Sequence, residues 1–174
     1  MIDFKRLSNK QKAVLLQKIE QAAAENERNA TGCARVVLHT VVRHLELDSP
    51  AVIKAATPLA GGVASTGQFC GALLGGIMAI GLAFAPSTVS QETTKMPGYD
   101  KSMELAGVLY DRFQSKFGTS ACREIQLSMW GRSWNFRDPD ERTEFLKPEY
   151  HDRCGEVAGE AARLAAKVII ENAE

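Results

Sequence analysis

The chain lacks an excess of charge of either sign. Its 21 lysines and arginines balance 21 aspartates and glutamates, and no run of five like charges occurs. That excludes a polybasic arm, an acidic tail and nucleic-acid binding through a global basic field. Strand-like alternation of apolar and polar residues appears nowhere, which excludes a conventional sheet. There is no internal repeat and no low-complexity segment. The first residues, MIDFKRLSNKQKAVLLQKIEQ, contain no apolar core followed by a small-residue cleavage site. A secretory signal is therefore not expected, and the chain reads as cytoplasmic, where permanent structural disulfides are disfavoured. The four cysteines include no CxxC pair. Zinc ribbons and fingers, which need two close pairs, and the ferredoxin runs are thereby excluded. No serine–histidine–acid arrangement and no glycosidase-type carboxylate pair stands out. Charge is also missing from 55–91, yet the apolar heart of that stretch, 69–85, has only 17 residues, four of them glycine, before Pro86 stops it. That is the low edge of a spanning length, so the stretch reads as a buried core helix and not as a membrane span.

What is present is helical periodicity in a composition typical of a soluble domain, 45% hydrophobic and 24% charged. Residues 3–28 carry Leu7, Val14, Leu15, Ile19 and Ala22 on one side, with lysines and glutamates opposite. A second helix starts near Gly32 with Cys33, Val36, Val37, Val41, His44 and Leu45 on one face. It ends before Asp48, and Ser49 is placed to cap a third helix, 50–60, that opens on Pro50. GGVASTGQ (61–68) is a glycine-rich turn leading into the buried helix 69–85. Helix 99–117 presents Met103, Leu105, Ala106, Leu109, Tyr110 and Phe113, and Gly118 ends it. Thr119 or Ser120 caps a helix holding Cys122, Ile125 and Met129. Residues 130–147 are mixed. Pro148 opens a last helix, 149–172, with Cys154, Val157, Ala158, Ala161, Leu164, Ala165, Val168 and Ile169 on its apolar face. The expected fold is all-α: one domain over 1–174, a bundle of six to seven helices around the glycine-rich helix 69–85.

Cys33, Cys70 and Cys122 each fall at a helix start, where free backbone N–H groups and the positive end of the dipole favour an anion. This is expected to lower each thiol modestly while leaving much of it protonated at neutral pH, so that a metal or cluster completes the deprotonation. Cys154 lies in the second turn of the last helix, on its apolar face, where a buried thiol resists ionisation. Convergence of the four would make a redox or metal site; without it, each is an ordinary packed residue.

Four segments in order carry a family resemblance. NATGCARVVLH (29–39), FCGALLGGIMAIGL (69–82) behind its glycine-rich turn, FQSKFGTSACREI (113–125) and YHDRCGEVAGEAARLAAKVI (150–169) together resemble the C_GCAxxG_C_C family of redox-active proteins, over about 29–170. The resemblance implies an all-α fold in which Cys33, Cys70, Cys122 and Cys154 are all functional. It also suggests kinship with the iron–sulfur-binding part of split-Soret cytochromes, which work as dimers. That kinship favours a [2Fe–2S] over a [4Fe–4S] cluster bound by the four cysteines, a redox partner protein, and a homodimer. The chain has no CxxCH haem-attachment sequence, so no haem is expected. The family pattern places glycine before its second cysteine, whereas here Gln68 and Phe69 precede Cys70 and Gly71 follows it.

Two other readings use the same cysteines. One is a metal-free thiol–disulfide protein in which Cys33, Cys70 and Cys122 attack and Cys154 resolves. The other is an interaction module with packed cysteines, in which the glycine face of 69–85 makes the homodimer. His151 stands three residues before Cys154, and His39 and His44 lie near the Cys33 helix, so a mixed zinc site is conceivable; hydrogen-bonded or exposed histidines are the expected outcome. Gly61, Gly62 and Gly67 could form an anion nest, but close approach of backbone is the expected use. Arg123 can stabilise a Cys122 thiolate or be solvated. Trp130, Trp134 and Phe136 are expected to cover the core.

Overall fold

The structure, a computed structural model, describes residues 2–30, 32–47 and 50–173. Among the described residues it contains eight α-helices and no strand. They are α1 (Asn9–Ala30), α2 (Cys33–Leu45), α3 (Pro50–Ala55), α4 (Gly71–Phe84), α5 (Tyr99–Phe117), α6 (Cys122–Trp130), α7 (Pro139–Phe145) and α8 (Pro148–Asn172). The expected all-α class holds, with one helix more than expected. No helix among the described residues is long and apolar enough to cross a membrane.

Several boundaries differ from expectation for local reasons. The first helix does not begin at residue 3. Ser8 and Gln11 form a capping box there, the Ser8 N–H donating to Gln11 Oε1 at 2.8 Å and the Gln11 N–H to Ser8 Oγ at 3.3 Å. Phe4–Arg6 before it is a single 3-10 turn. The helix expected over 50–60 splits into α3 and a 3-10 turn at Thr57–Leu59, with Pro58 within it. Ser49, expected as the cap of α3, lies outside the described residues. Neither Thr119 nor Ser120 is the N-cap of α6; that position is Ala121, and Thr119 Oγ1 instead accepts from the Ala121 N–H at 3.1 Å. The unassigned stretch 130–147 contains α7, capped by Asp138, whose carboxylate accepts from the N–H groups of Asp140 and Glu141, with Pro139 at the first helical position.

The core is organised by two helices, not by one. α4 packs against α2, α5 and α8, as the glycine-rich sequence implies, while α8 packs against α1, α2, α4 and α5. The predicted face of α8 is buried from Val157 to Ile169. On α5 the buried residues are Ser102, Leu105, Leu109 and Phe113; Met103, expected in the core, is 61% exposed. Glycines set the closest approaches. A Cβ on Gly75 would run into the Ala34 carbonyl oxygen of α2. One on Gly155 or Gly159 would lie 2.8 Å from the carbonyl oxygens of Ala24 and Glu20, so α1 and α8 touch nearly backbone to backbone.

Candidate functional site

The four cysteines arrive on four different helices. Cys33 and Cys122 are the first residues of α2 and α6, Cys70 is the N-cap of α4, and Cys154 lies in the second turn of α8. All four line one cavity of about 380 Å³. None is disulfide-bonded, and among the described residues no three histidine, cysteine, aspartate or glutamate groups stand close enough to hold a single ion.

Local chemistry fixes two of the sulfurs relative to each other. The chain before Cys70 and the chain before Cys122 meet in an isolated antiparallel bridge between Phe69 and Ala121. The Cys70 N–H donates to the Ser120 carbonyl at 2.8 Å, and the Cys122 N–H donates to the Gln68 carbonyl at 2.6 Å. Cys33 is brought in by the absence of a side chain at Gly71, where a Cβ would lie 2.5 Å from the Cys33 Sγ. The glycine after Cys70, a departure from the family pattern, therefore makes room for another cysteine.

The turn between α3 and α4 is left-handed over five consecutive residues. Gly61, Gly62, Val63, Ala64 and Ser65 all have φ between 50° and 74°. For the three that carry a Cβ this costs roughly 1–2 kcal/mol each. Hydrogen bonds hold it: the Ala64 N–H donates to the Pro58 carbonyl, the Gln68 N–H to the Gly62 carbonyl, and Thr66 Oγ1 to the Gly62 and Val63 carbonyls. Arg123 Nη2 and Arg137 Nε add bonds to the carbonyls of Thr66 and Ala64. The turn sets Gly61 beside Cys33, so it serves the cavity by close backbone approach, as expected.

The electrostatics reverse the sequence-based expectation. All four thiols are pushed up, not down. Burial is the leading cause at every one. For Cys33 the charges of Glu27 and Cys70 add to it, while the N–H groups of Gly61 and Ala34 act against it. Cys70 rises to about 12 through burial and then the Cys122 charge; the N–H groups of Leu73 and Ala72, at the start of α4, pull the other way. Cys122 also rises to about 12, through burial and the Cys33 charge, offset by the Gln126 amide and the Arg123 guanidinium. Cys154 is raised by burial, then by Glu27 and the other three cysteines. Helix-start N–H groups act on Cys33 and Cys70, whereas at α6 the Cys122 and Arg123 N–H groups are taken by the Gln68 and Gly67 carbonyls; at every thiol loss of water outweighs the help. Labelling of the reduced protein with a disulfide reagent at pH 7.5 is accordingly expected to run at least about a hundredfold slower than labelling of free cysteine, and to rise about tenfold per pH unit up to pH 10. A rate that levels off near pH 8 would contradict this.

The rest of the wall contains residues that the sequence did not single out. Glu27 of α1 is buried, and its Oε1 lies 3.6 Å from His151 Nε2. Gln126 is buried, donates from Nε2 to the Cys122 Sγ at 3.2 Å and accepts the Trp134 N–H at 2.9 Å. Trp130, Phe136 and Phe145 close one side of the cavity. With Trp134, which does not line it, they form an aromatic cluster outside the main hydrophobic core, so Trp130 and Phe136 wall the cavity instead of covering that core. His151 lines the cavity and is buried against Glu27, His44 Nδ1 bonds the Thr40 carbonyl at 2.8 Å, and His39 is exposed.

The family model described as "Putative redox-active protein (C_GCAxxG_C_C)" matches residues 31–168, a span containing all four cysteines. No curated protein and no solved structure matches the chain.

Proposed function

The chain belongs to the C_GCAxxG_C_C family, and from that membership we propose that Cys33, Cys70, Cys122 and Cys154 bind one iron–sulfur cluster, [2Fe–2S] in preference to [4Fe–4S], for electron transfer with a partner protein or for redox sensing. One observation carries the reading: four thiols from four helices, Cys33 and Cys70 buried and Cys122 and Cys154 half-buried, open into a single cavity, where burial pushes each of them up. Such thiols are poor nucleophiles on their own, and a bound metal is what would make them thiolates. The donor chemistry fits the group: thiolate sulfur is a soft ligand of the kind that holds iron–sulfur clusters. The preference for two irons rests on the family kinship alone.

When bound, the cluster supplies a one-electron couple whose potential depends on hydrogen bonds to sulfur and on solvent access. The chain's own residues supply both. Gln126 donates to Cys122, the N–H groups at the start of α4 favour a Cys70 thiolate, and Trp130, Phe136 and Phe145 limit water. A homodimer is proposed on the kinship only, because Gly71, Gly75 and Gly76 are used up in contacts with α2, α5 and α8 and with the turn after α3.

Iron and acid-labile sulfide analysis of protein prepared without oxygen tests this. The expected result is brown protein with iron and sulfide in equal amounts, and loss of most of both in each single Cys→Ser variant. Colourless protein after anaerobic reconstitution, with a thiol count that rises on reduction, would replace the cluster with disulfide chemistry.

A further inference from the structure

Charge is sorted around the opening of the four-cysteine cavity. Of the side chains that line it, Arg35, Arg142 and Leu146 are exposed, whereas the acid among them, Glu27, is buried against His151. A groove beside the cavity shares Phe136, Arg142 and Leu146 with it and adds Arg137, with no acid in its lining. Among the described residues neither Arg35 nor Arg142 is in an ion pair. Arg137 gives its Nε to the Ala64 carbonyl and is otherwise exposed. The stem of Arg35 lies over Gly32, where a Cβ would come within 3.1 Å of its Cγ and Cδ, and this holds the guanidinium at the start of α2 beside Cys33. Three acids of the neighbouring segment are occupied elsewhere. Asp138 caps α7, and Glu141 and Glu144 turn to Arg132. A chain with equal numbers of acids and bases thus presents three arginines and an exposed leucine around the way to its thiols.

We propose that this rim is the docking face for the redox partner, and that the partner presents a patch of aspartates and glutamates around a small apolar centre. The proposal rests on the cluster reading above. Arginine is the cation best suited to an interface, being weakly hydrated and matched in shape to carboxylates. Leu146, 43% exposed and common to both linings, supplies the apolar contact. Electron-transfer encounters are small and rely on charge to orient them, which a rim of this size can do. A protein docked here faces the sulfurs directly. The step moves one electron and no atoms: the partner's cofactor is oxidised by one electron and the cluster is reduced by one. An anionic lipid surface is the weaker match, because three cations fall short of the roughly four to eight that mark a lipid-binding basic cluster.

The test compares full-length wild type with Arg35→Glu, Arg142→Glu and, as a control at the far end of α2, Arg43→Glu. The first measurement needs no metal. Thiols of the reduced protein are labelled with a dianionic aromatic disulfide, dithiobis(nitrobenzoate), and with neutral dithiodipyridine; the ratio of the two rates cancels any change in the thiols themselves. In low salt that ratio is expected to drop at least about fivefold in the two rim variants, and to stay at the wild-type value in Arg43→Glu. The second uses cluster-loaded protein and reduced plant-type ferredoxin, an acidic one-electron carrier. The rate of electron transfer to the wild type is expected to fall at least about tenfold between 20 mM and 500 mM salt, and the rim variants to be slower at low salt and equal at high salt. Rates that ignore salt, or rim variants as fast as the wild type, would overturn the docking face while leaving the cluster in place; so would rim variants that only lose iron faster. Salt-independent reduction together with rim-dependent binding to phosphatidylserine vesicles would reassign the rim to a lipid surface. A wild type that takes up no iron would overturn the cluster and the electron step with it, and the labelling ratio would then show separately whether the rim favours anions.

Discussion

Loading the metal-free protein with ferrous iron and sulfide at pH 7 is expected to release about four protons from its cysteines, beyond those shed by the added hydrosulfide. The number follows from burial. Each thiol is raised, Cys70 and Cys122 to about 12, so each enters the reaction carrying its proton. Metal and proton compete for the same sulfur, and binding releases what the thiol held. The sign is fixed: affinity falls as pH falls. Because all four thiols sit far above neutrality, it should fall steeply throughout pH 6–9, by more than tenfold per pH unit, with no plateau. Calorimetry in two buffers of different ionisation heat counts the protons. Fewer than two from the cysteines would mean that the thiols are already largely ionised, and the account of burial given above would be wrong.

Two single-methyl changes on α4 are expected to act in opposite directions. Gly75→Ala drives a Cβ into the carbonyl oxygen of Ala34, which is backbone and cannot swing away. Overpacking of this kind costs about 1–3 kcal/mol, occasionally more. Gly81→Ala meets nothing within 4 Å, and replacing a helical glycine by alanine contributes up to about 1 kcal/mol. At about 2–4 °C per kcal/mol for a chain of this size, thermal melts should move visibly apart. Gly75→Ala should also weaken iron retention, since Ala34 is the neighbour of Cys33 and any retreat of α2 carries that sulfur with it. Equal melting temperatures for the two variants would show that α2 and α4 can separate without loss.

Where helix periodicity is strong, the sequence was a good guide. The range 99–117 and its stop at Gly118 match α5, and Pro148 does open α8. Three cysteines at helix starts were also legible, because Gly32, the glycine-rich turn and Gly118 all precede them closely. Their ionisation was not. A dipole can be read from position along a helix, whereas desolvation depends on what other helices cover the sulfur. α7 was missed although Asp138-Pro139 is an ordinary helix opening, because the aromatic residues around it masked the signal. Glu27 was assigned to the solvated side of α1. The spacing from Ile19 through Ala23 to Glu27 places it on the buried face, but its depth follows from two glycines on a helix more than a hundred residues away.

The cavity wall has two origins. Every sulfur comes from the stretch shared with the family, while the carboxylate comes from a helix that lies before it. Exchange of residue 27 therefore changes the acidity of the wall without altering any residue of the matched stretch, so one lining is open to adjustment from two separate pieces of chain.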